Sequence, residues 1–118
     1  QLKIKKNIFI NLHSSKWESK LEISDFFSIT KYAQDLNDFN HEFYYDLVYF
    51  DAFSPEKQPE LWTEKNFKKL YDNLNYNGIL ITYCAKGLIK RILKKVGFKI
   101  YSFPGPKGKR EITQARKI

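Results

Sequence analysis

Residues Tyr44–Trp62 read YYDLVYFDAFSPEKQPELW, and the fold turns on how this stretch is taken. An apolar run, Leu47-Val48-Tyr49-Phe50, is flanked by Asp46 and Asp51. Its β-branched and aromatic content, its length and the halt at Ser54-Pro55 predict a buried strand, central in a parallel sheet. Asp51 then stands at the strand's carboxyl end, the edge where open α/β sheets bind ligands. A carboxylate there, followed by a proline-punctuated loop carrying Lys57 and Trp62, reads as a site rather than a turn.

Downstream, a helix starts at Glu60 or Thr63. Phe67, Leu70, Tyr71 and Leu74 fall at i, i+3, i+4 and i+7, a single apolar stripe. Thr63 suits the N-cap, and Asn77-Gly78 is a stop signal. Ile79 to Cys84 is a second buried-strand candidate. Lys86 to Val96 forms an amphipathic helix, with Leu88, Ile89, Ile92, Leu93 and Val96 on one face and Lys90, Arg91, Lys94 and Lys95 on a solvated one. Gly97 ends it. Phe98 to Phe103 is a strand, Pro104 to Gly108 a turn, and Glu111 to Ala115 a closing strand. So short a loop permits only antiparallel pairing. Strand–helix–strand–helix followed by a hairpin is an α/β pattern.

Upstream, Phe26 to Tyr32 alternates as a strand does, and Asp35 to Asn40 reads as loop or a short helical turn. In residues 1–25, Ile4, Ile8 and Ile10 alternate loosely around Lys3, Lys5 and Lys6, which allows a strand or a loose arm. Trp17 reads as a packing anchor.

The 118 residues have room for one domain, taken here as residues 1–118 with 1–25 as a poorly defined arm. Apolar content of 42% with 17% aromatics speaks for a folded chain. A lone cysteine, Cys84, forbids an internal disulfide and points to a reducing cytoplasm. No apolar run approaches the roughly 20 residues of a membrane span. His13 and His41 are the only histidines, far apart and without a cysteine at metal spacing, so no metal site is expected. The net charge is +8, and from Lys86 onward Glu111 is the only acid among a run of lysines and arginines. That asymmetry favours a polyanion, nucleic acid ahead of a membrane surface. The chain opens on Gln1 and holds no methionine, which suggests a piece of a longer protein.

At this point the residues resemble the MnmC-like methyltransferase family, which makes the methylaminomethyl group of the wobble uridine in certain bacterial tRNAs. The matching positions are Asp51, Phe53, Pro55, Lys57, Pro59 and Trp62, then Gly108, Lys109, Arg110 and Glu111. The resemblance implies a Rossmann-like class I fold that uses S-adenosylmethionine, with a mostly parallel sheet ending in an antiparallel hairpin. It implies that Asp35, Asp51, Phe53 and Pro55 face the cofactor. Lys57, Lys109 and Arg110 would meet tRNA phosphates, with Glu111 beside them, and Trp62 would either pack the loop or stack on a base. One part of the family pattern has no counterpart. The glycine-rich cofactor loop and the first strands are missing, because all five glycines lie after Asp51. Phe26–Thr30 would then not neighbour Tyr45–Phe50, and an unpaired edge open to self-association results.

The chemistry so implied is alkylation of an amine. An ammonium with a pKa near 10.4 must first lose its proton, at a cost of roughly 4 kcal/mol at pH 7. Asp51 is the expected acceptor, directly or through water. Two alternatives stand beside this reading. One is a non-catalytic tRNA-binding remnant; the other is part of a bifunctional protein fused to an FAD-dependent CH–NH oxidoreductase.

Overall fold

The computed structural model describes residues 2–14, 16–40, 42–107 and 111–118. Gly108, Lys109, Arg110 and His41 lie outside the described residues. Two compact units divide the chain, Gln1–Asp35 and Leu36–Ile118.

The first unit begins with a helix, α1 (Leu2–Ser14), where a strand or loose arm was expected. The isoleucine spacing fits a strand and a helix equally, and the lysines between them are good helix formers, so propensity decides. Near its end the Lys31 ammonium donates to the Leu12 carbonyl at 2.8 Å, satisfying one of the last-turn acceptors. A hairpin follows, β1 (Lys20–Ser24) antiparallel to β2 (Phe27–Thr30). Trp17 is not the packing anchor expected: it is exposed, with the Lys31 ammonium 5.0 Å over its ring.

The second unit holds β3 (Tyr45–Phe50), a 3-10 turn (Pro59–Leu61), α2 (Glu64–Asn73), β4 (Leu74–Thr82), α3 (Gly87–Val96), β5 (Lys99–Phe103) and β6 (Ile112–Arg116). Strand order is β3-β4-β6-β5. β3 and β4 are parallel; β6 runs antiparallel to β4 and to β5. The sheet is therefore mixed, parallel on its β3 side and closed by the hairpin read from the sequence.

β3 is an edge strand, not the central one expected. Its apolar run serves one face: Phe50 is buried and Val48 packs against the core, while Leu47 and Tyr49 are exposed. Register carries this alternation across the sheet. Val48, Leu80, Ala115 and Ile100 align on the covered face, and Tyr49, Ile81, Gln114 and Tyr101 on the other. Against the covered face α2 sets Phe67 and Leu70, and α3 sets Ile89 and Leu93, all buried with Leu80 and Ala115 in one cluster. On the opposite face the Arg116 guanidinium lies 4.2 Å over the Tyr101 ring.

Local signals explain most boundaries. Thr63 Oγ1 accepts the Asn66 amide at 3.2 Å and so caps α2. Gly97, at φ 131°, ends α3: its amide reaches the Leu93 and Lys94 carbonyls, and the Phe98 amide reaches Leu93. One boundary differs. Asn77-Gly78 does not stop α2, which ends at Asn73, but sits inside β4, which begins at Leu74 rather than Ile79. Tyr45 faces Leu74 and Leu47 faces Ile79, so the residues between bulge out. Asn77 takes φ 66°, and a Cβ on Gly78 would meet Leu74 Cγ at 2.6 Å, so the two signals mark a bulge rather than a cap.

Candidate functional site

The parallel pair β3 and β4 ends at Phe50 and Thr82, and the site is built on the segment that leaves each strand. After β3 comes the loop of residues 51–62. Its far end is fastened by Asn66, buried on α2, whose amide donates to the Glu60 and Leu61 carbonyls at 3.3 and 3.2 Å. Within the loop, the Lys57 and Gln58 amides both reach the Ser54 carbonyl, forming a turn around Pro55. The near end is held from three directions. Phe53 donates its amide to Gln58 Oε1 at 3.2 Å. The Trp62 indole donates to the Phe53 carbonyl at 2.7 Å, and the Tyr83 hydroxyl to the Ala52 carbonyl at 2.8 Å.

Two open cavities flank this loop. The larger, about 740 Å³, is lined by Ser54, Pro55, Glu56, Tyr83, Cys84, Ala85, Lys86 and Glu111. Glu56 and Lys86 form an ion pair in its lining, and Glu111 lies 3.4 Å from the Lys90 ammonium. Cys84 is a buried wall residue: its amide reaches Thr82 Oγ1, and its carbonyl accepts from buried Thr113 at 2.8 Å. The smaller cavity, about 360 Å³, is lined by Tyr49, Asp51, Ile81, Thr82, Tyr83 and Ile112. Tyr83 stands between the two and belongs to both.

Asp51 is exposed at the end of β3 and makes no ion pair among the described residues. Its charge is felt by its neighbour. Desolvation first, then Cys84 and Asp51, push the Tyr83 phenol above its usual pKa.

The structure gathers several of the residues singled out in the sequence. Asp51 lines the smaller cavity; Pro55 and Glu111 line the larger. Phe53 projects from the loop between them, 71% exposed. Lys57 is exposed on the loop's turn. Asp35 lies exposed at the end of the first unit, while Asp51 stands in the second. Lys109 and Arg110 fall outside the described residues. Trp62 takes the first of its two expected roles and loses the second. It is 4% exposed, edge-on to Phe50 with centroids 4.9 Å apart and edge-on to Tyr83 at 6.1 Å, so its ring is not free to stack on a base. Sequence reasoning missed Tyr83 as a tether and Glu56–Lys86 as a pair. The only available signal for Tyr83 was its place just past a buried strand, at the ligand-binding edge of the sheet.

Among the described residues no three His, Cys, Asp or Glu side chains gather as a metal-holding group, and no helix is long and apolar enough to cross a membrane.

Comparisons with known proteins converge on one family. A family model described as S-adenosyl-L-methionine-dependent methyltransferase matches residues 2–118. The tRNA 5-methylaminomethyl-2-thiouridine biosynthesis bifunctional protein MnmC of Cupriavidus metallidurans is 38% identical over 71 residues, covering 60% of this chain and 11% of that protein. The protein of the same name from Hahella chejuensis is 33% identical over 88 residues, covering 73% of this chain and 14% of its own length. Protein MJ0670 of Methanocaldococcus jannaschii is 34% identical over 96 residues, 80% of this chain and 27% of that one. In three dimensions the chain is similar to the crystal structure of MNMC2 from Aquifex aeolicus, with a TM-score of 0.74 at 24% identity, over 93% of this chain and 35% of that one. That likeness shows the shared α/β fold. The chain spans about a tenth of the length of the MnmC proteins it matches. With the family model matching nearly every residue, the chain belongs to the S-adenosyl-L-methionine-dependent methyltransferase family.

Proposed function

We propose that this chain forms the methyl-acceptor side of a methyltransferase domain that acts on the aminomethyl group of the wobble uridine in tRNA. The observation that carries the reading is Asp51: a carboxylate at the carboxyl end of a parallel strand, without an ion pair among the described residues, on the lip of a cavity, in a chain of this family. The names of the MnmC relatives supply the substrate. The smaller cavity supports it, because Asp51 is the charged residue among those lining it and suits a cationic amine.

The residues present fit the cofactor on one side. Phe53 offers an exposed ring and Pro55 an apolar wall of the larger cavity. The described residues hold no glycine-rich turn after β3 or β4 that would let the backbone approach the methionine moiety, so the role assigned here to Asp51, Phe53 and Pro55 is at the reacting end. When bound, the cofactor supplies a methyl group activated on a sulfonium. The leaving thioether is neutral, so the protein's task is placement and removal of one proton. Asp51 would hold the substrate ammonium and take its proton directly or through a water, freeing the nitrogen lone pair to accept the methyl group the cofactor would supply. Lys57, Lys109 and Arg110 hold the phosphate backbone, and Glu111 borders the larger cavity.

Transfer of tritiated methyl to undermodified tRNA tests the reading, with cofactor and protein in excess. Incorporation by the wild-type chain and loss in Asp51→Asn support it. A chain that binds tRNA with a steep salt dependence yet transfers nothing would instead be a binding remnant, a reading favoured by the +8 charge.

A further inference from the structure

The loop that presents Asp51 and Phe53 is fixed by its main chain, not by those two side chains. Phe50, one residue before Asp51, is 6% exposed and packs against Trp62 and Phe67. The carbonyls of Ala52 and Phe53 are each held by a side-chain donor from further along the chain: Tyr83 just past β4, and Trp62 at the far end of the loop. The two donors also touch each other edge to edge, with centroids 6.1 Å apart. Asp51 and Phe53 thus project outward from a backbone pinned before, between and after them.

We propose that Tyr83 is a positioning residue for methyl transfer, acting with Trp62 as a two-point latch that sets the direction of the Asp51 carboxylate and the Phe53 ring. The proposal rests on the functional reading above and adds the residue that reading lacks. Two observations separate it from plain packing. Tyr83 is 45% exposed, more than a core anchor requires, and it forms the wall shared by both cavities. Its hydroxyl bonds to a main-chain atom next to Asp51, where removing one oxygen leaves the ring and its contact with Trp62 intact. A reacting group displaced by about 1 Å can lose up to a hundredfold in rate, so a single hydrogen bond at this point has leverage.

The test is Tyr83→Phe, with Tyr45→Phe as a control tyrosine whose hydroxyl faces the Leu70 carbonyl at the edge of the core. Two readouts are taken. In methyl transfer to undermodified tRNA, Tyr83→Phe lowers kcat by about tenfold or more and moves KM for tRNA less than twofold, while Tyr45→Phe moves neither. In hydrogen exchange on the full chain, the Trp62 indole proton exchanges more slowly than that of exposed Trp17. Tyr83→Phe speeds exchange of the Trp62 indole and the Phe53 amide together. A Tyr83→Phe chain with wild-type kcat, or one with unchanged exchange at both protons, overturns the latch. A wild-type chain that transfers no methyl overturns the functional reading instead, and the latch is then decided by hydrogen exchange alone.

Discussion

Leu80→Ala and Ile81→Ala remove neighbouring side chains from the same strand and should differ severalfold in cost. Leu80 is fully buried, in register with Val48 and Ala115 on the face that α2 and α3 cover. Truncation there removes about three methylene-sized groups and leaves a cavity that a middle strand cannot close, which puts the loss near the middle of the measured range, about 3–4 kcal/mol. Ile81 points to the opposite face, beside exposed Tyr49 and above the smaller cavity. Its surroundings are already open to water, so only part of its transfer energy is lost, about 1–1.5 kcal/mol. Against a total stability of about 5–15 kcal/mol the first change is severe and the second mild. Urea denaturation followed by far-UV circular dichroism measures both, with the midpoint of Leu80→Ala at least twice as far displaced at unchanged slope. Equal displacements, or a larger one for Ile81→Ala, would refute the claim that the core lies on one side of this sheet.

Asp51→Asn keeps the shape of the side chain but removes its capacity to take a proton, and should lower kcat for methyl transfer by about 10²–10⁴-fold with little change in tRNA affinity; an equal loss of both would assign Asp51 to binding. Thr113→Val orphans the Cys84 carbonyl in a buried setting and should cost about 1–3 kcal/mol in urea denaturation, whereas Thr113→Ser, which keeps the donor, should cost less. Burial raises the Tyr45 phenol from 10.0 to about 12, so below pH 10 both folded and unfolded states hold the proton and this group leaves stability unchanged. Above pH 10 the unfolded chain ionises first, and stability falls until pH passes about 12; Tyr45→Phe should flatten that part of the urea-midpoint profile relative to wild type.

Much of the second unit was legible because its signals are local and agree. Thr63, Gly97 and the apolar stripes of α2 and α3 each name their element by chemistry that acts within a turn. What failed was whatever depends on a distant neighbour. Leu47-Val48-Tyr49-Phe50 reads as a strand, yet nothing in four apolar residues says whether a second strand lies on their far side. Asn77-Gly78 carries the same left-handed preference in a helix stop and in a bulge, and only the pairing of Tyr45 with Leu74 decides between them. In the first residues, Ile4 and Ile8 are spaced as on a helix face, and Ile8 and Ile10 as on a strand face. The site divides along the same line. Asp51 is visible as the residue ending an apolar run before a proline-rich loop. Tyr83 is legible only as a residue ending a strand beside the site; its part as a tether is not, because that comes from a hydrogen bond spanning 31 positions of sequence.

The last strand in sequence, β6, is an interior member of its sheet, seated between β4 and β5. A ribosome releases residues in order, so β5 emerges with no strand to bond to, and β4 with one flank bare, until residues 112–116 follow them out. Closing that gap joins segments far apart along the chain, the kind of contact that slows acquisition of native structure. Nascent chains halted short of Ile112 should therefore stay protease-sensitive and attract chaperones, however well their two helices form.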